Sequence, residues 1–299
     1  MLPKEVLPSL NYSEDDIPTV NKETLNSLKF KAVASGRSHF VGLSETGDVY
    51  IWDDPDINSG IKMKFGSLPE SETHPIMKIG CGWNFTCVYK RDIGLITWRE
   101  RDALKQGETS CEAHYEVIPF TGDTQGPNKV IDFTCLSDGV VYFITQDRRY
   151  LHCYRNKIHE EFTTPIEEKL LKISSCHNCL ILFTENHCFS FSLDGNDILL
   201  NTIRRIDLQD PDDRVISVSG GDYHTLMLTK NGQLYSTGIE SQRCGSLGLG
   251  IYTDQSWGHL EGNNDVRVEQ PTKIDIGEGN VCVAIAAGGW QSSALIIKV

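Results

Sequence analysis

Two histidines in this chain sit in matching surroundings, Gly36-Arg37-Ser38-His39-Phe40-Val41 and Gly221-Asp222-Tyr223-His224-Thr225-Leu226. A pair of imidazoles is the raw material of a metal site or an acid–base couple. A second candidate is Cys176-His177-Asn178-Cys179, whose C-x-x-C spacing, with Cys153, His187 and Cys188 near in sequence, could supply soft metal ligands or a redox dithiol. Asp53, Asp54 and Asp56, followed by Asn58 and Gly60, faintly resemble a calcium loop. Gly245-Ser246-Leu247-Gly248-Leu249-Gly250 has the glycine content of a phosphate cradle.

Each weakens when its chemistry is spelled out. A calcium loop ends on an acid six residues after its glycine, and Gly66 stands there. The glycine stretch lacks a Gly-Lys-Ser/Thr ending and opens no predicted helix. A structural zinc site wants a second close cysteine pair, which the sequence does not contain, and the dithiol lacks the helix N-terminus that lowers a thiol pKa. Neither G-x-S-x-G nor H-E-x-x-H occurs. The expectation is a non-catalytic protein with no metal and no cofactor.

The charge balance narrows the partners. With 41 acidic against 28 basic side chains the formal net charge is -13, and the basic residues cluster no further than the pairs Arg148-Arg149 and Arg204-Arg205. Such a surface repels phosphate backbones, so nucleic acid is not an expected partner. No apolar run approaches the roughly 18 to 20 residues of a membrane span, and no membrane partner is expected. The opening Met-Leu-Pro-Lys-Glu-Val-Leu lacks a signal-length apolar stretch, so a cytoplasmic or nuclear location is expected. Ten scattered cysteines then read as free thiols, and the sequons at Asn11 and Asn84 as chance matches.

What must position the two histidines is a repeat. In its clearest copy, Val215 to Gly238, an apolar strand leads to Gly220-Gly221, then Tyr223-His224-Thr225-Leu226-Met227-Leu228, a Lys230-Asn231-Gly232 turn, and Leu234-Tyr235-Ser236-Thr237-Gly238. Alternating strand periodicity around Asn-Gly predicts a hairpin. The same order recurs from Lys31 to Trp52 and from Ile79 to Trp98. Weaker copies run from Val130 to Tyr154, which fits only with a one-residue slip, and from Leu171 to Ser192, where Cys176 replaces the glycine and Cys179 the histidine. A sixth begins at Val283 and supplies two strands. At the histidine position the other copies carry Phe85, about Val140, Cys179 and Gln291, which reads as a packing slot rather than a ligand. Copies spaced roughly fifty residues apart, each of three or four short strands, predict an all-β propeller.

The combination of G-G-x-x-H-T-x-x-L, a turn, x-L-Y-x-x-G and Gly245 to Gly250 resembles the repeat of the regulator of chromosome condensation family. The resemblance implies a propeller of about seven blades, six of them recognisable, occupying residues 31–299 and either closed by the N-terminal segment or incomplete in this chain. Residues 1–30 are left as a linker or a ring-closing strand. Ser35 to Phe40 followed by Val49-Tyr50-Ile51-Trp52, and Gly220 to Thr225 followed by Gly238-Ile239-Glu240-Ser241, look most like the repeat region of fungal F-box proteins. Those are substrate-recognition subunits of cullin-based ubiquitin ligases. The resemblance thus implies a protein partner or degradation substrate, and contact with the ligase core through a segment not in this chain. Nucleotide exchange on a small GTPase, the activity of the founding family member, and a propeller lyase are the alternatives.

Loops at the strand ends carry propeller function. The turn between first and second strands presents Arg37, Trp83, His177, Asp222 and Trp290, and aromatic and arginine side chains are typical interface anchors. These five are the expected partner-binding residues.

Overall fold

The computed structural model describes residues 29–299 apart from 54–59, 70–73, 104–107, 123–124, 177 and 254–256, so most of the N-terminal segment, Asp54, Asp56 and His177 lie outside the described residues. The chain divides into two compact units, Met1–Val117 and Ile118–Val299.

In the first unit, one repeat comprises β1 (Phe30–Ser35), β2 (Phe40–Ser44), β3 (Val49–Trp52) and β4 (Ile61–Lys64). The next comprises β5 (Ile76–Cys81), β6 (Thr86–Lys90), β7 (Gly94–Arg101) and β8 (Ser110–Val117). Within each, consecutive strands pair antiparallel. The outermost strands then pair with one another in parallel, from Lys62 opposite Ser110 to Lys64 opposite Glu112, and fuse both repeats into one eight-stranded sheet. Nothing in the repeat pattern anticipates that junction.

The second unit continues with β9 (Val130–Cys135), β10 (Val141–Thr145), β11 (Tyr150–Arg155) and β12 (Ile158–Thr163). The following sheet holds β13 (Lys172–Cys176), β14 (Cys179–Phe183), β15 (Cys188–Asp194), β16 (Asp197–Ile198) and β17 (Arg204–Arg205). The next holds β18 (Val215–Gly220), β19 (His224–Thr229), β20 (Leu234–Glu240), β21 (His259–Leu260) and β22 (Val266–Ile274). The last has β23 (Asn280–Gly288) paired with β24 (Gln291–Lys298). Pro271 lies in β22 beside a register shift between Ser236 and Gly238, where a missing backbone donor is tolerated.

The second strands β10, β14 and β19 are buried along nearly their whole length, and neighbouring sheets cover both faces of β14 and β19. In β14, Leu180 and Leu182 enter one core with Leu151, Leu170 and Phe191, while Ile181 and Phe183 enter another with Val218, Met227 and Tyr235. In β19, Met227 belongs to that second core, and Leu226 and Leu228 to a third with Leu234 and Ile274. Period-two alternation thus feeds two interfaces from one strand. The outermost strand β12 (Ile-His-Glu-Glu-Phe-Thr) is mostly exposed.

The turn between first and second strands closes on one hydrogen bond in repeat after repeat. Gly36 N–H donates to His39 O and Gly82 N–H to Phe85 O, both at 2.9 Å, and Gly221 N–H to His224 O at 2.8 Å. In the slipped copy Leu136 N–H donates to Val140 O at 2.9 Å. The slip is therefore one extra turn residue, accommodated by left-handed backbone at Asp138 (φ 56°) and Gly139 (φ 81°).

Glycine opens this turn because the histidine ring lies on it. A Cβ at Gly221 would overlap the His224 ring and approach Gly289 O to 2.7 Å; one at Gly36 would overlap His39 and approach Gly82 O to 2.6 Å. Gly288, the counterpart that precedes Gln291 instead of histidine, has open space at its Cβ. Gly221→Ala is expected to cost about 1–3 kcal/mol, as overpacking does. Gly288→Ala should stay within about 0.5 kcal/mol. Urea midpoints of the two variants check the difference, and equal midpoints would refute the steric account.

Candidate interaction surface

The two histidines hold neighbouring repeats together. His39 Nε2 lies 3.1 Å from Thr86 Oγ1, and His224 Nε2 lies 2.8 Å from Ser292 Oγ. Thr86 and Ser292 occupy the same place in the following repeat, one residue past the histidine slot. Ser292 donates its hydroxyl to Ser246 O at 2.6 Å and must therefore accept from the ring, which fixes the proton of His224 on Nε2. Backbone bonds run beside these contacts: Arg37 N–H to Trp83 O at 3.0 Å, and Asp222 N–H to Gly289 O at 2.8 Å. Burial lowers the pKa of both histidines below the ordinary imidazole value. Both are buried and act in packing, as their slot in the repeat implied.

On the solvent side of the same turns stand the expected anchors. Arg37 is exposed, and its guanidinium sits 4.6 Å from the ring centroid of Trp83, itself 43% exposed. The structure thus brings Arg37 and Trp83 into direct contact, by cation–π attraction across two repeats. In the second unit Trp290 is 50% exposed and Asp222 half-buried. Exposure of both tryptophans rules out their packing fully into the sheets.

Sequence reasoning missed two neighbours of these anchors. Tyr223, between Asp222 and His224, is as exposed as Trp290; it occupies the turn position held by Ser38 and Asn84, where the pattern gave no signal for an aromatic. The glycine-rich segment after β20 also reaches the surface. Cys244 Sγ lies 3.8 Å from Trp290 O, and Leu247 N–H donates to the buried Glu240 carboxylate at 3.1 Å. Gln242 and Arg243 there adopt left-handed backbone (φ 51° and 56°). The glycines of Gly245 to Gly250 serve this clip against the Trp290 turn.

The remaining candidates resolve into structural contacts. Asp53 accepts a forked pair of bonds from Arg101 at 2.8 and 2.9 Å. Cys176 and Cys179 face each other as the closing pair of the β13–β14 hairpin. The hydrogen bond with Cys176, and then burial, raises the Cys179 thiol pKa; burial pushes Cys188 up to about 12. Neither is poised as a thiolate at neutral pH. Among the described residues no group of three His, Cys, Asp or Glu side chains is disposed to hold a metal ion, and no helix is long and apolar enough to cross a membrane.

Comparison with known proteins agrees with this architecture. Residues 215–245 match the family described as the regulator of chromosome condensation (RCC1) repeat. The solved structure of yeast RCC1 (Prp20) bound to Kap60 is 17% identical, with a TM-score of 0.66 over 88% of this chain and 67% of that one. Human WBSCR16 is 13% identical, with a TM-score of 0.64 over 94% and 75%. The chain has the β-propeller fold of these structures, and residues 215–245 carry the RCC1 repeat. In sequence it is 43% identical to SCF-associated factor 1 of Saccharomyces cerevisiae over 93% of this chain and 44% of that protein. It is 24% identical to F-box protein pof9 of Schizosaccharomyces pombe over 89% and 58%. The chain thus spans about half the length of these two relatives.

Buried, neutral histidines link stability to pH. For His39 and His224, and for His152, which burial lowers to about 4, the folded state binds a proton less readily than the unfolded chain. Their contribution is fully present above the unfolded value near 6.5 and is lost as pH falls from there toward 4. Thermal midpoints should be flat around neutrality and decline through that window. His224→Gln should decline less steeply; an unchanged slope would remove this histidine from the account.

Proposed function

We propose that this chain is the substrate-recognition propeller of an SCF-type ubiquitin ligase adaptor, a non-catalytic protein that captures another protein for degradation. The observation that carries the reading is the 43% identity to SCF-associated factor 1 across nearly the whole chain, with an F-box protein as the second relative. In this reading the ligase core is engaged through a segment outside these 299 residues, and the work is done in the cytoplasm or nucleus. At 17% identity the likeness to Prp20 speaks for fold and carries no nucleotide-exchange activity with it.

The capture anchors we assign are Arg37 and Trp83 on adjoining turns of the first unit; in the second unit Asp222 and Trp290, with His177 on the corresponding turn of its own repeat by sequence, are assigned separately. Arg37 stacked on a half-exposed Trp83 is a preorganised anchor: the guanidinium loses little freedom on binding, and the indole already stands clear of the core.

Truncating such anchors typically costs about 2 kcal/mol each. The Arg37→Ala, Trp83→Ala double variant should therefore weaken capture of a substrate by about a hundredfold or more. The measurement has two parts. Proteins that co-purify with the full-length adaptor, and that accumulate when its gene is removed, identify the substrate; titration then gives its affinity for wild type and variant. If no captured protein accumulates on removal, the adaptor reading fails. If one does and the double variant binds it equally well, only the surface assignment fails.

A further inference from the structure

Cys176 ends β13, Cys179 opens β14, and the two stand directly opposite each other in the ladder of that hairpin. Facing residues of an antiparallel pair have Cα atoms about 4.5 or about 5.5 Å apart, and a disulfide spans Cα separations of about 4.4 to 6.8 Å. The backbone therefore already holds these thiols where a bridge can form. The other cysteines are placed differently. Cys81 and Cys135 end the first strands of their own repeats, as Cys176 does, but face Thr86 and Val141. Cys87, Cys111, Cys153, Cys188 and Cys282 also lie in strands, and none has a cysteine across a ladder. Cys244 is exposed on the clip against the Trp290 turn.

The surroundings of the pair depart from the rest of the repeat. Elsewhere the histidine slot reaches a hydroxyl one residue past the slot of the next repeat, His39 to Thr86 and His224 to Ser292. Here the slot holds Cys179, and the equivalent hydroxyl, Thr225 Oγ1, donates instead to Cys176 Sγ at 3.7 Å. Gly220 makes room for that sulfur, since a Cβ there would lie 2.7 Å from it. The Cys179 thiol is the second donor to Cys176, and this bond lowers the Cys176 pKa against the opposing effect of burial. Two donors thus supply what a helix N-terminus supplies in other dithiols. Asn178 beside the pair is exposed and Cys179 only half-buried, so a small solute meets the pair from the turn side.

We propose that Cys176 and Cys179 form a reversible disulfide, a modification site that responds to hydrogen peroxide. The Cys176 thiolate attacks one peroxide oxygen and breaks the O–O bond; the hydroxide released takes up the thiol proton as water, leaving a sulfenic acid on Cys176. Cys179 sulfur then attacks the Cys176 sulfur, and the sulfenic hydroxyl departs with the Cys179 proton as a second water. Two thiols lose two electrons and one peroxide becomes two waters. Thiol–disulfide exchange with reduced glutathione returns both thiols and leaves oxidised glutathione. The bridge closes a very short loop, so it changes the chemistry of the turn more than the stability of the fold.

The site is independent of the adaptor reading and is tested on the protein alone. Folded, reduced protein is treated with hydrogen peroxide, the remaining thiols are blocked with N-ethylmaleimide, and the peptides are mapped by mass spectrometry. The expected product joins Cys176 to Cys179, is lighter than the reduced pair by two hydrogen atoms, and reopens in reduced glutathione. In Cys179→Ser the sulfenic acid should persist on Cys176, where dimedone traps it. Cys244→Ser, which removes the exposed thiol, should form the bridge as wild type does, and thermal melts confirm that both variants fold. The proposal is overturned if Cys176 and Cys179 stay thiols while Cys244 is oxidised, if either is bridged to Cys188 instead, if their bridge forms only in urea, or if glutathione fails to reopen it.

Discussion

A single twisted sheet cannot bury both of its faces, and everything in this protein follows from the way its second strands answer that constraint. Leu180 and Leu182 on one side of β14, Ile181 and Phe183 on the other, make that strand the shared wall of two cores. A repeat is therefore stable only as far as its neighbours are, which is the energetic character of repeat proteins in general. The outer strands, released from the constraint, are free to be polar, as β12 is.

Packing sheets against one another leaves their relative height undetermined, and the histidine turn fixes it. A ring laid on a glycine, with Nε2 on a hydroxyl of the next repeat and a backbone bond beside it, sets one repeat against the following one to within a hydrogen bond. Side chains at the tip of that turn are then held by a rigid support while remaining in solvent. Arg37 and Trp83 meet because the backbone bond between them already brings the two tips together. A structural glycine and a structural histidine thus flank two solvent-facing side chains within four consecutive positions.

Much of this was legible in the sequence, because it is local and repeated. Matching surroundings placed His39 and His224 in one role, substitution by Phe85, Cys179 and Gln291 named that role as packing, and Asn231-Gly232 marked its hairpin. The one-residue slip near Val140 was legible as an irregularity, though only the left-handed backbone at Asp138 and Gly139 shows how it is absorbed. What escaped depends on residues distant in sequence and individually unremarkable. The contact of Arg37 with Trp83 needs two repeats in register, and neither residue type alone predicts it.

The parallel pairing of β4 with β8 gives the first two repeats a different inheritance from the others. Repeat arrays usually evolve by copying or deleting one unit at a time, since each unit keeps its backbone hydrogen bonds to itself. Here the outer edge of each of these two repeats completes the other's ladder, so removing either one would strip backbone partners from Lys62, Met63 and Lys64 or from Ser110, Cys111 and Glu112. The two are a single module for duplication, loss or transplantation, and a lineage that altered one would have to alter the other with it.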